Sequence, residues 1–364
     1  MVNGGKEPEI RDARMRCGGL RDVSLSDVGG AAKTIHHRQR EMSTLFGGSL
    51  MGSFARTAGS VAAAALMGAG VAAASPPSAY AQPVVTVPCS GPAGGAAGLV
   101  TAIKNANAAG HGTIRLAANC NYDFTAPTDT SGTRGGDALP IISGDITIIG
   151  GPSTHIRRVG GPQFRLFEVF TGARLTIKGI FIEGGDSGVW TGGGILSARG
   201  TLVLHKVTLR NNTADNGAGL SNDSGTAVLS YTLVTDNTTI HPSGAGGGGA
   251  GIYNDGRLEV KFSQLSFNSA NSSGGGVYNE LGGTAFFFRS TLDKNTAKIR
   301  GGGLLNGVGG RARLVLTLVK ANSASDGGGI FRVPDSGPVT LNDSLVIANA
   351  PNNCRPVGSV PGCS

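Results

Sequence analysis

From about residue 200 to 350 the chain breaks into short runs in which apolar and polar positions alternate. Each run closes on an asparagine three residues after an aliphatic side chain. The closing residues are Asn212, Asn237, Asn268, Asn295, Asn322 and Asn349, spaced 25, 31, 27, 27 and 27 apart. Three positions before them stand Leu209, Val234, Leu265, Leu292, Val319 and Val346. Eight before stand Leu204, Leu229, Val260, Phe287, Leu314 and Leu341. A small hydroxylated residue lies five before, as in Thr232, Ser263, Ser290, Thr317 and Ser344. Between the asparagines a glycine-rich triplet leads into an apolar residue at Leu220, Ile252, Val277, Leu304 and Ile330, and Ile195 belongs to the same column.

Alternation over such short runs means β-strands with one buried face, and a coil of roughly 27 residues cannot bury that face alone. Stacking coils at about 4.8 Å places each aliphatic residue over its equivalent. An asparagine at a fixed bend then bonds backbone groups that the bend strips from the ladder. The glycines supply backbone angles that other residues resist. Leu175, Ile177, Ile180 and Ile182 fit the same frame with Gly185 in the asparagine's place, and Ile146-Thr147-Ile148 opens a coil before that. The pattern predicts an all-β chain, a right-handed parallel β-helix of about eight coils over residues 141–350. Its open ends need lids. Residues 96–109, with Leu99, Ala102, Ile103 and Ala106 on one face, predict a helix inside an N-terminal cap spanning 82–140, and residues 351–364 form the second cap.

Composition agrees with a turn-rich repeat: 62 glycines and 15% charged residues do not describe α/β globules. The formal net charge is +8, but the first 81 residues hold 9 Lys/Arg against 6 Asp/Glu, so the remainder is only mildly basic. Its basic residues are dispersed along the repeats without interleaved aromatics, which argues against nucleic-acid binding. Residues 58–74 are a short run of small apolar residues after Arg56, followed by Ala79-Tyr80-Ala81. They read as a secretory signal over 42–81, with cleavage before Gln82. Residues 1–41 are then an extension that is untranslated or disordered, with Met42 or Met51 as the true start. No membrane anchor is read, and a secreted monomer is expected. The mature cysteines Cys89, Cys120, Cys354 and Cys363 allow three connectivities. A solenoid keeps its ends apart, so Cys89–Cys120 and Cys354–Cys363 is the natural choice, one staple per cap.

With these residues in place, the chain resembles the pectate-lyase-like right-handed β-helix superfamily. Within it, it is similar to polymorphic outer-membrane-protein repeats, whose marks are Gly-Gly-Ala-[Ile/Leu/Val] and Phe-x-x-Asn. Here they become Gly-Gly-Gly-Ile and [Leu/Val]-x-x-Asn, from about residue 190 to 349. Members of that family carry a membrane barrel, which this sequence does not show. The stretch from Cys89 through Asn107 to Cys120 also looks like the leading segment of secreted bacterial β-helix proteins. Such folds host lyases, hydrolases and adhesins, so the resemblance fixes no activity.

Candidate chemistry lies four residues past the glycine-rich column, at Asp223, Asp255 and Glu280 on three consecutive coils. Like charges one strand apart raise one another's pKa unless cations intervene. Tyr253 and Tyr278 stand two residues earlier, facing outward. The patch has the composition of a sugar-binding or cation-binding groove, and calcium enters only with a lyase reading. The competing reading makes Asn222-Asp223-Ser224-Gly225, Asn254-Asp255-Gly256 and Asn279-Glu280-Leu281-Gly282 simple turns. Arg257 and Arg289 lie on nearby strands but show no obvious link to the acids. Gly110-His111-Gly112 matches a polygalacturonase tripeptide without its companions, and His155, His205 and His241 lack metal-ligand spacing. Ile240–Gly247 lengthens one coil beside Asp223 and Asp255, while Trp190 reads either as a plug or as a sugar platform.

The sequence therefore predicts a secreted, non-catalytic scaffold that binds polysaccharide or another cell-surface component. The alternative is a polysaccharide lyase or glycoside hydrolase using Asp223, Asp255 and Glu280.

Overall fold

The computed structural model describes residues 84–132, 134–240 and 247–363. The expected segments 1–41 and 42–81, and residues 241–246 of the long coil, lie outside the described residues.

The alternating runs form parallel strands in four sheets along one stack. A ten-stranded sheet runs from Val84–Val87 and His111–Leu116, through Thr201–His205, to Val339–Asn342. A nine-stranded sheet runs from Cys120–Phe124 to Leu345–Ile347, an eight-stranded sheet from Phe167–Val169 to Cys354–Arg355, and a four-stranded sheet from Thr213–Ala214 to Thr296–Ala297. The coil of residues 201–223 visits all four in order, through Thr201–His205, Thr208–Arg210, Thr213–Ala214 and Leu220–Asp223. Register follows the apolar columns. Leu202 pairs with Leu175 and Ala227, Leu209 with Ile182 and Val234, and Leu220 with Ile195 and Ile252. All of these are fully buried in one continuous core, where each Leu or Ile contributes about 1.5–3 kcal/mol.

The largest sheet holds ten strands where about eight coils are expected. The surplus comes from residues that the sequence assigns to the cap. Val87, Ile114 and Leu116 are buried in the common core, so stacking begins inside residues 82–140. Likewise Cys354–Arg355 pairs with Ile330–Arg332, so the final segment contributes a strand before it closes the stack. The helix spans Gly95–Ala109 and buries Leu99, Ala102, Ile103 and Ala106. It ends at Gly110, whose φ of 76° is left-handed and cheap only for glycine. The disulfides are Cys89–Cys120 and Cys354–Cys363, with Cα separations of 5.5 and 6.1 Å.

The asparagine column is a buried ladder. Asn237 Nδ2 donates to Leu209 O at 3.1 Å in the preceding coil and to Asn268 Oδ1 at 2.9 Å in the next. Asn268 Oδ1 also accepts the Asn237 backbone N–H at 3.2 Å. At the early end Asn212 Oδ1 accepts the N–H of Gly185, the residue that replaces asparagine in the frame. The residue before each ladder asparagine is left-handed: Asn211, Asp236, Phe267, Lys294, Ala321 and Ala348 have φ of 53–56°. Side chains resist that geometry by roughly 1–2 kcal/mol, and the ladder bonds offset it. Glycine is required elsewhere, at the triplet. A Cβ on Gly219 would lie 2.6 Å from Gly251 O in the next coil.

Candidate functional site

A second asparagine ladder positions the acidic row. Asn222 Nδ2 donates to Asn254 Oδ1 at 2.7 Å, Asn254 to Asn279 at 2.7 Å, and Asn279 to Asn306 at 2.8 Å. These four side chains are fully buried. Each holds its strand end rigidly, so the next residue in three consecutive coils, Asp223, Asp255 and Glu280, emerges at the same corner. The competing turn reading covers Asn222, Asn254 and Asn279, and neither reading of the sequence expects the ladder or its fourth member, Asn306.

Facing this corner is an excursion, residues 125–144, between Cys120–Phe124 and Asp145–Ile149. It is anchored by burying Leu139 and Ile142. Backbone bonds from Ala138 to Arg165 O and from Ile142 to Glu168 O, each 2.8 Å, tie it to the stack. Asn107 of the helix clamps its return, donating to Ile141 O at 2.7 Å and accepting from the Ser143 N–H at 2.9 Å. Beneath the excursion Arg165, fully buried, sets Nη1 2.7 Å from Glu168 Oε2 and 3.4 Å from Asp137 Oδ1. Its Nη2 donates to Arg134 O at 2.6 Å. Asp137 is fully buried and neither of its oxygens accepts a hydrogen bond from a described residue. Burial pushes its carboxyl up to about 7, against the pull of Arg165 and with the help of Glu168 and Asp129.

Between the excursion and the eight-stranded sheet lies a cleft of about 570 Å³, lined chiefly by Arg134, Glu168, Phe170, Arg199, Asp223 and Asp255. Arg134 Nη1 is 3.2 Å from Asp223 Oδ2, and Ser221 Oγ donates to Asp223 Oδ1 at 2.6 Å. The Ser224 N–H donates to Asp255 Oδ1. Burial and the neighbouring Asp223 charge hold the Asp255 carboxyl above its ordinary range, partly opposed by that bond. Next to the cleft Tyr278 Oη donates to Glu280 Oε1 at 2.7 Å, and the rings of Tyr253 and Tyr278 meet edge to face at 5.7 Å. Burial raises both phenols, with Glu280 adding to each, so both act as hydroxyl donors.

The structure thus brings Asp223 and Asp255 into one cleft and leaves Glu280 beside it, turned to Tyr278. Arg257 and Arg289 stand apart, Arg257 paired with Glu259 and Arg289 over the Phe288 ring. The cations that do face the acids, Arg134 and Arg199, escaped the sequence reading. No repeat or motif marks Arg134, because it sits on an irregular segment. Trp190 packs against Gly135 of the excursion, where a Cβ would come within 2.8 Å of its Cδ1, and stays 44% exposed. His111 opens a strand at the surface, His155 Nδ1 is 2.9 Å from Glu183, and His205 Nδ1 is 3.0 Å from Ser230 Oγ. Among the described residues no group of three or more His, Cys, Asp or Glu side chains is arranged to hold a metal ion. A larger depression of about 610 Å³ lies over the four-stranded sheet, lined by residues such as Thr238, Ser269, Thr296 and Lys298. It offers no carboxylate and no aromatic ring, so the cleft is the better candidate.

No family model, no curated protein and no solved structure matches the chain.

Proposed function

We propose that this is a secreted glycan-binding β-helix protein, of the pectate-lyase-like type with polymorphic outer-membrane-protein-like repeats, whose cleft under the excursion holds a sugar. One observation carries the reading: Arg134, Asp223 and Asp255, distant in sequence, converge in a concave site with Phe170. Carboxylates and a guanidinium are the groups that pair with sugar hydroxyls, and a ring offers an apolar face. Tyr253, Tyr278 and Glu280 extend the same polar surface. Two disulfides support an oxidising, extracellular setting. Among the described residues no helix is long and apolar enough to cross a membrane. The test is binding of the protein to a panel of neutral and acidic polysaccharides, with Asp255→Asn as the comparison. Saturable binding that the substitution weakens supports the reading, and identical binding by both proteins removes it.

A hydrolytic reading rests on a different observation, the raised Asp255 carboxyl beside the ion-paired Asp223. Two neighbouring carboxyl groups in unlike surroundings, one raised by burial and one paired with an arginine, are what glycoside hydrolysis uses. New reducing ends from the same panel, lost in Asp255→Asn, would establish it.

A further inference from the structure

We propose that the ten-stranded sheet is a docking face for an anionic phospholipid bilayer. Basic residues that look dispersed in the sequence are gathered by register onto this one face. Arg257 aligns with Thr284 and Arg311, Glu259 with Phe286 and Arg313, and Lys261 with Phe288 and Val315. The residues between them point into the core, so these three columns all face outward. Arg311 and Arg313 are exposed, and the Arg257 side chain is 64% exposed. The single carboxylate on these three strands, Glu259, is already shared by Arg257 and Lys261. Arg311 and Arg313 have no carboxylate partner among the described residues. Earlier in the same sheet Arg174 and Lys178 are exposed too.

Apolar side chains border this cationic strip on both sides. Leu281 and Val308, 66% and 51% exposed, occupy the corner leading into the sheet. Tyr231 and Phe262, 55% and 39% exposed, occupy the corner leaving it, stacked at 5.1 Å. Large apolar groups exposed along both rims of a positive face call for a partner that is negative and greasy at once. Lipid headgroups supply phosphate for the guanidiniums, and the layer just beneath them accepts aromatic and aliphatic tips. Ten strands at about 4.8 Å give a face of roughly 45 Å, broad enough to lie on a plane. A recess on it, about 340 Å³ around Arg257, Phe286, Arg311 and Arg313, is too small to enclose a polymer chain along the face. A dissolved polyanion would use the charge and leave both apolar rims in water.

The test is co-sedimentation of the full chain with phosphatidylcholine vesicles, with and without phosphatidylglycerol. The protein is expected to partition onto the anionic vesicles alone and to come off as salt rises. Arg311→Gln with Arg313→Gln should lower the partition coefficient about 25-fold, at roughly fivefold per cation. Leu281→Ser with Phe262→Ser should lower it again while the melting temperature and β-sheet circular dichroism stay unchanged. Equal binding to neutral vesicles overturns the proposal, as does undiminished binding by the arginine variant. Capture by a sulfated polysaccharide or duplex DNA without any vesicle binding also overturns it.

Discussion

Arg134 Nη1 lies 3.2 Å from Asp223 Oδ2, joining positions 89 residues apart and fastening the excursion across the cleft. The arginine side chain is 43% exposed, so the pair contributes less than about 1 kcal/mol to folding. Arg134→Ala should therefore shift the unfolding midpoint little while weakening sugar binding at least severalfold. Calorimetric titration beside a denaturant curve checks both. Loss of stability without loss of binding would assign the pair to the fold.

Asn268 is the interior unit of the first ladder. It is fully buried and donates at 2.9 Å to Asn295 Oδ1 and at 3.0 Å to Val234 O. Asn268→Ala strands two donors of Asn237, its backbone N–H and its Nδ2, at about 1–3 kcal/mol for each unsatisfied group. The expected cost is about 3–5 kcal/mol by urea unfolding. Asn349, at the ladder's end and partly reached by solvent, should cost less than half as much.

Cys89–Cys120 closes 31 residues and Cys354–Cys363 closes 9. If each acts mainly by restricting the unfolded chain, they stabilise by about 4 and 2.5 kcal/mol respectively. Replacing the first pair by alanines should lower the denaturation midpoint more than replacing the second. The reverse order would mean that the short C-terminal bridge chiefly holds the last strand in place.

These ladders and staples differ in how legible they were. The column Asn212 to Asn349 could be read directly, because one residue type recurs at a nearly fixed spacing with aliphatic partners at fixed offsets. The second column, Asn222, Asn254, Asn279 and Asn306, recurs just as regularly. It was hidden because Asn-Asp-x-Gly is also ordinary turn chemistry. The left-handed corners at Tyr231, Phe262 and Phe267 carry no sequence signal, since their backbone angles are imposed by the stack against local preference. Arg134 was beyond reach for another reason. Its partner is set by where an irregular segment lands, and nothing periodic encodes that.

Asp137 gives the fold a dependence on pH. Its carboxyl sits at about 7 in the folded chain against 3.8 ordinarily. The folded state therefore holds a proton that the unfolded chain has released across that interval. Stability from this group is complete below pH 4 and falls as pH rises towards 7, by at most about 4 kcal/mol. Asp137→Asn should flatten that slope in denaturant midpoints measured between pH 4 and 8. An unchanged slope would show that Arg165 keeps the Asp137 carboxylate ionised throughout.

Asp255 separates a turn residue from a functional one. Its Oδ1 accepts the Ser224 N–H, which an asparagine oxygen does equally well. Its charge is opposed by burial and by Asp223, so its folded-state pKa is raised and ionisation at neutral pH weakens the fold. A residue serving only the turn gains nothing from that charge. Asp255→Asn should then leave stability at pH 7 equal or slightly higher, within about 1 kcal/mol, and should remove the small decline in stability as pH rises through the carboxyl range. Asp255→Ala loses the acceptor as well and should cost about 1–2 kcal/mol. If asparagine preserves both stability and polysaccharide binding, the position is structural. If it preserves stability and loses binding by tenfold or more, the carboxylate is held at a cost to the fold because the ligand needs it, and the cleft is the site.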